Sequence, residues 1–181
     1  MASGTFWGTR NGTASVSSDD NYIEYHVIGQ NLKTKKTKIR VTTYLCRREF
    51  DLDANNTTKV SCSITVNGTK HSSTWNPSKY ANGQGIIPKN TLIPIQTVDV
   101  EIDNVDGQKN TAFSLAYEFH YGSSSVDRTA SLTNSTGYVP YLSYRYIKLK
   151  NTWKNGFLFT KSNGSWNLEG LYIKINKSWK S

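Results

Sequence analysis

Helix formers are scarce in this chain. Methionine occurs once among 181 residues, and Gly, Asn, Ser, Thr and Tyr are abundant, a mix suited to strands and turns. No window places apolar residues at i, i+3, i+4 and i+7, so a helix-based fold is not expected. Long apolar runs are missing as well, and none approaches the ~18 residues of a membrane-spanning helix. Met1-Ala-Ser-Gly-Thr-Phe-Trp7 has neither a basic nor an apolar region of the kind a cleavable secretory signal carries, so none is expected. Cysteine occurs only at Cys46 and Cys62, sixteen residues apart with no C-x-x-C pair, which leaves zinc and redox centres without support. Both read as small thiols in or on strands. A disulfide stays open should those strands be neighbours.

Acidic residues are outnumbered, 13 against 22 Lys and Arg, for a net charge of +9. The deficit is local. Tyr144 to Ser181 holds eight basic residues against Glu169 alone, a net of +7, whereas the first 143 residues net only +2. The length allows one domain of ordinary size with a small appendage, and the charge places the division at 1–143 and 144–181. A basic appendage on a nearly neutral body points to a polyanionic partner or simply to solubility.

What is present is alternation. Tyr22 to Ile28 alternates between two faces. Ile39, Val41, Thr43 and Leu45 share one face, opposite Lys38, Arg40, Thr42 and Tyr44. Val60, Cys62, Ile64 and Val66 do the same, as do Val98, Val100 and Ile102, and then Phe113, Leu115, Tyr117, Phe119 and Tyr121. Period two with one apolar face predicts half-buried antiparallel strands. Asn-Gly at 11–12, 67–68, 82–83, 155–156 and 163–164 supplies turn chemistry, clearest at Val66-Asn67-Gly68-Thr69. Residues 75–97, with Trp75, Pro77, Pro88 and Pro94, read as a long connection. The expected fold is all-β: an antiparallel β-sandwich, jelly-roll or Ig-like, followed by a small C-terminal β-meander.

That meander is expected from a repeat. Tyr146-Ile-Lys-Leu-Lys-Asn-Thr-Trp-Lys154, Phe159-Thr-Lys-Ser-Asn-Gly-Ser-Trp-Asn167 and Tyr172-Ile-Lys-Ile-Asn-Lys-Ser-Trp-Lys180 align at a strict spacing of thirteen. Tyr146, Phe159 and Tyr172 lead, Lys148, Lys161 and Lys174 follow, and Trp153, Trp166 and Trp179 close each copy. Thirteen residues fit a strand, a turn and part of the next strand. Such a ribbon is too small to bury an apolar face alone. The nine residues are either a small core with a lysine rim or a surface for self-association or glycan binding.

The repeat resembles the short Lys-x-Asn-Gly-Thr-Trp-Lys modules of structural proteins from tailed bacteriophages and prophages of Gram-positive bacteria. Lys161-Ser-Asn-Gly-Ser-Trp166 and Lys174-Ile-Asn-Lys-Ser-Trp179 carry the likeness, with Lys177 standing where the pattern has Gly. In the first copy Lys150-Asn151 replaces Asn-Gly. Residues Ala112 to Leu132, an aromatic alternating strand, a Gly-Ser turn and Arg128-Thr-Ala-Ser-Leu132, are also similar to phage minor structural proteins. The resemblance implies a virion component of the tail, baseplate, neck or capsid surface, assembled in the host cytoplasm beside other virion proteins. It also implies a homo-oligomer, a trimer being the common state, and contact with bacterial cell-wall glycan.

Signs of catalysis are sparse. His26, His71 and His120 stand in no H-E-x-x-H, and no Ser lies in G-x-S-x-G. His120 is expected on the outer face of its strand. Asp51-Leu-Asp53 and Asp103-Asn-Val-Asp106-Gly107 read as acidic turns, because neither supplies the oxygen count of a hard-cation loop. Glu24, Glu101 and Glu118 show no spacing that argues for a glycosidase pair. No enzyme activity, cofactor or metal is expected. Lys33, Lys35, Lys36, Lys38, Arg40, Arg47 and Arg48 concentrate seven cations in sixteen residues, as a solvated strand face or as a polyanion surface. Seven Asn-x-Ser/Thr sequons, such as those at Asn67 and Asn134, read as turn composition rather than glycosylation. The expected function is that of a non-enzymatic virion structural protein. A carbohydrate-binding module outside a virion is the alternative. A basic nucleic-acid-binding β-protein, for which no RNA-recognition or zinc-finger signature is present, is the third class.

Overall fold

The computed structural model describes residues 2–11, 13–14, 19–31, 33–105 and 110–140, together with six short strands between 145 and 180. The strands are β1 (Ser3–Trp7), β2 (Thr9–Arg10), β3 (Thr13–Ala14), β4 (Asp19–Asn31), β5 (Lys36–Arg47), β6 (Leu52–Asp53), β7 (Ser61–Val66), β8 (Thr69–Thr74), β9 (Ile86–Ile87), β10 (Leu92–Asp103), β11 (Asn110–Gly122) and β12 (Asp127–Pro140). Three hairpins follow: β13 (Arg145–Leu149) with β14 (Thr152–Gly156), β15 (Phe159–Ser162) with β16 (Ser165–Leu168), and β17 (Ile173–Ile175) with β18 (Ser178–Lys180). All ladders are antiparallel. Among the described residues the only helical segment is a 3-10 turn over Pro77–Tyr80. The chain forms two compact units, Met1–Tyr141 and Leu142–Ser181.

The first unit holds a four-stranded sheet, β1-β4-β5-β10, and a six-stranded sheet, β3-β2-β12-β11-β7-β8. The alternating residues of both sheets supply one buried cluster. Ile23, Ile39, Val41 and Leu45 come from the first sheet, and Ile64, Phe113, Leu115, Phe119, Tyr121 and Val139 from the second. Period two thus does what the pleat dictates, sending one set of side chains inward and the other outward. Trp75 closes the cluster and donates its indole N–H to the His120 carbonyl at 3.0 Å.

Three hairpins, β4–β5, β7–β8 and β11–β12, each stay within one sheet. A Greek key returns its fourth strand beside the first, but β10 lies beside β5.

Two further expectations change. The connection after Trp75 ends sooner, because β10 begins at Leu92 and includes Pro94. Proline is tolerated there since β10 is an edge strand, and the register shifts between Pro94 and Gln96. The polar stretch Asp127–Pro140 is a long strand, held along nearly the whole of β11. Gly137 lies opposite Phe113, whose ring occupies the space a Cβ would need.

The chain passes from β1 in one sheet to β2 in the other at Gly8. Its N–H donates to the Asn21 carbonyl at 3.0 Å. A Cβ there would overlap the Tyr117 hydroxyl and the Asn21 side chain, which bond each other. Asn67 and Gly68, with φ of 48° and 78°, form the β7–β8 turn. Cys46 and Cys62 are free and buried, one in each sheet, so no disulfide joins them.

Candidate functional site

The repeat acquires a definite geometry from strand pairing. Lys148 pairs with Trp153, Lys161 with Trp166 and Lys174 with Trp179 as direct cross-strand partners. Each copy is therefore one hairpin, with two residues between its strands. In such a hairpin the residue two before the connection opposes the residue two after it, which is the Lys-to-Trp spacing of five. Directly opposed residues share a face of the ladder. Tyr146 stands two positions before Lys148 in β13, and Phe159 two before Lys161 in β15. Tyr172 and Asn163-Gly164 lie outside the described residues. Asn155-Gly156 is in a strand, opposite Tyr146 and Arg145, rather than in a turn. Among the described residues these six strands pair two by two, and no ladder joins one hairpin to the next as a continuous meander would require.

Lys36, Lys38, Arg40, Arg47 and Arg48, from the basic run, find counter-charges on neighbouring strands. Arg40 lies opposite Asp99, Lys38 opposite Glu101 and Lys36 opposite Asp103. Arg40 donates Nε and Nη2 to the two Asp99 oxygens at 2.8 and 3.0 Å, and Lys36 reaches Glu101 at 3.3 Å. Arg40 in turn holds the Asp99 carboxyl below its usual range. At the other end of β5, Arg48 pairs with Asp20 and Arg47 with Asp19. The outer face of the four-stranded sheet is thus an alternating ladder of both signs, not a free cationic surface. The alternation of Asp99, Glu101 and Asp103 was visible in the sequence, but their position beside β5 was not.

Asp19, fully buried, is the polar hub of this unit. Its carboxylate accepts from Arg10 Nη1 and Arg47 Nε at 3.0 Å each, from Arg128 Nη1 at 3.3 Å and from the Tyr121 hydroxyl at 3.0 Å. Burial alone would raise its pKa. The hydrogen bonds from Arg10 and Arg47, the Arg47 charge and the Tyr121 hydroxyl outweigh burial and hold it below the ordinary carboxylate value. Asp19 and Arg47 belong to one sheet, and Arg10, Tyr121 and Arg128 to the other, so the cluster ties the two together at this end. No sequence spacing signalled it.

A second unforeseen feature is a row of rings across the outer face of the four-stranded sheet. Trp7, Tyr22 and Tyr44 occupy one register on β1, β4 and β5, and Pro94 continues it on β10. Trp7 and Tyr22 have ring centroids 5.0 Å apart at 51°, and Tyr22 and Tyr44 stack at 5.0 Å and 24°. The Tyr44 hydroxyl donates to Glu24 Oε1 at 2.8 Å. Burial, then that bond and the Glu24 charge, push its pKa up to about 12.

The remaining candidates are structural. His120 lies on the outer side of β11, 3.2 Å from Asp127 and 3.5 Å from Glu118. Glu24 and Glu101 belong to the four-stranded sheet and Glu118 to the six-stranded one, each beside a group of its own. Asp53 Oδ1 accepts from the Asn55 and Asn56 amides, as a turn-forming carboxylate does, while Asp51 Oδ1 accepts from the distant Lys89 amide. Asp106 and Gly107 lie outside the described residues. Among the described residues no group of three His, Cys, Asp or Glu is placed to hold a metal, and no helix is long and apolar enough to cross a membrane. No protein-family model, curated protein or solved structure matches this chain.

Proposed function

We propose that this chain is a non-enzymatic structural protein of a tailed-phage or prophage virion, working in assembly or host-surface attachment at the tail, baseplate, neck or capsid periphery. The observation that carries the reading is the threefold Lys–Trp hairpin, in which every copy of the repeat returns the same opposed pair. Three small ladders of this kind, strongly basic and too short to be stable alone, call for a partner surface. Other virion proteins and further copies of the chain, a trimer by the resemblance, are the partners proposed. Bacterial cell-wall glycan is the proposed external ligand. A carbohydrate-binding role outside a virion draws support from the ring row Trp7–Tyr22–Tyr44. The ion-paired outer face weighs against the nucleic-acid reading, since its cations already face Asp99, Glu101 and Asp103.

Quantitative mass spectrometry of purified phage particles from the source strain tests the proposal. The expected result is tens of copies per particle. Absence from particles refutes it in favour of the module outside a virion. Light scattering tests self-association, and a monomer at tens of micromolar refutes the oligomer.

A further inference from the structure

Trp7 is 58% exposed on β1, an edge strand. One side of its indole leans on Tyr22, which is itself covered by Tyr44. Such packing fixes the indole and leaves its other side to solvent, at the end of a row of three rings on β1, β4 and β5 whose centroids step by 5.0 Å. Polar groups flank the row in the two adjacent registers. On one side Arg48 donates Nε to Asp20 Oδ2. On the other, Glu24 Oε1 accepts from Tyr44 and lies 3.3 Å from His26 Nε2. The second oxygen of each carboxylate, Asp20 Oδ1 and Glu24 Oε2, takes no hydrogen bond among the described residues. The exposed indole of Trp7, backed by two tyrosines, with carboxylate acceptors and a guanidinium donor on the same sheet face, complements a pyranose. A sugar ring presents an apolar C–H face and a rim of hydroxyls.

We propose that the Trp7–Tyr22–Tyr44 row is a glycan-binding site, taking an uncharged pyranose chain with one ring stacked on Trp7. The sugar hydroxyls donate to Asp20 and Glu24 and accept from Arg48. Two carboxylates against one guanidinium exclude phosphate- and carboxylate-rich polymers from this face, so the site is chemically separate from the basic hairpins of 145–180. The inference rests on the attachment reading and places glycan contact on the body of the protein.

Full-length protein carrying 5-fluorotryptophan supplies the test. Its five tryptophans, Trp7, Trp75, Trp153, Trp166 and Trp179, give separate fluorine resonances, assigned by single Trp→Phe changes. The probes are hexaoses of β-1,4-linked N-acetylglucosamine, β-1,4- and α-1,4-linked glucose, and α-linked mannose. At least one should move the Trp7 resonance saturably while that of buried Trp75 stays fixed. Isothermal titration calorimetry with the responding hexaose reads the variants, which lack the Trp7 resonance: Trp7→Ala should weaken affinity by about tenfold, as loss of an aromatic contact would, with the melting temperature unchanged, and Trp7→Tyr should restore part of it. The proposal is overturned if no probe moves Trp7, or if only Trp153, Trp166 and Trp179 respond. It is equally overturned if Trp7 responds to protein concentration instead of sugar, which would mark a contact between copies. A Trp7 response in a protein missing from virions would remove the virion reading and leave this site standing.

Discussion

Replacing Asp19 by Asn should cost the first unit a large share of its stability, an effect lost only in strong acid. The side chain is fully buried and accepts from three guanidiniums and one hydroxyl. An amide of the same shape keeps the Tyr121 bond but leaves Arg10, Arg47 and Arg128 crowded together without the countercharge. Breaking a buried charge group from one side costs about 3–5 kcal/mol. The arginines are partly solvated, so the lower end, about 3 kcal/mol, applies. With a urea slope of about 2 kcal/mol per molar, the unfolding midpoint should fall by about 1.5 M. The pH dependence adds a second check. The folded carboxyl lies below its ordinary value of 3.8, so its contribution is complete above the unfolded value and is lost as pH falls through the folded one. Wild type and Asp19→Asn should therefore differ most at neutral pH and converge under strong acid, where the wild-type carboxyl is also uncharged. A midpoint change under about 0.3 M, or a gap that persists unchanged to about pH 2, would refute the idea that this carboxylate holds the sheets together by charge.

Gly8→Ala should destabilise by about 1–3 kcal/mol through overlap with the Tyr117–Asn21 pair, and a melting temperature equal to wild type would show that the crossing has slack. Both thiols are buried and free, and burial pushes each pKa up, so a thiol reagent at pH 8 should label neither until denaturant is added. Rapid labelling of the native protein would contradict that placement. Lys148, Lys161 and Lys174 changed together to Gln should weaken retention on heparin or wall teichoic acid at low salt, with the difference vanishing as salt rises. Equal retention of both proteins would make these lysines solubilising groups alone. Gly68→Ala should cost about 1 kcal/mol or more because its φ is 78°, measured by chemical denaturation against a Thr69→Ala control.

Alternation alone determined β4, β5, β7, β10 and β11 and the side each presents to the core. Ile39, Val41, Thr43 and Leu45 are buried and Lys38 and Arg40 exposed because the pleat has period two whatever surrounds it. Asn67-Gly68 likewise set its own hairpin, as positive φ at both positions is a local preference. The hairpin register of the repeat was also open to arithmetic, since a spacing of five around a two-residue connection makes Lys oppose Trp. Strand adjacency was a different matter. It is decided by which faces and edges meet across tens of residues, and a chain read in order carries no term for it. Hence Asp127–Pro140, polar throughout most of its length, is a long strand only because β11 lies beside it. Lys36, Lys38, Arg40, Arg47 and Arg48 meet their acids only because β10 and β4 flank β5. The Asp19 hub draws on residues 10, 19, 47, 121 and 128, and the ring row on residues 7, 22 and 44. Both are assembled by sheet packing, a long-range choice that sequence neighbours do not encode.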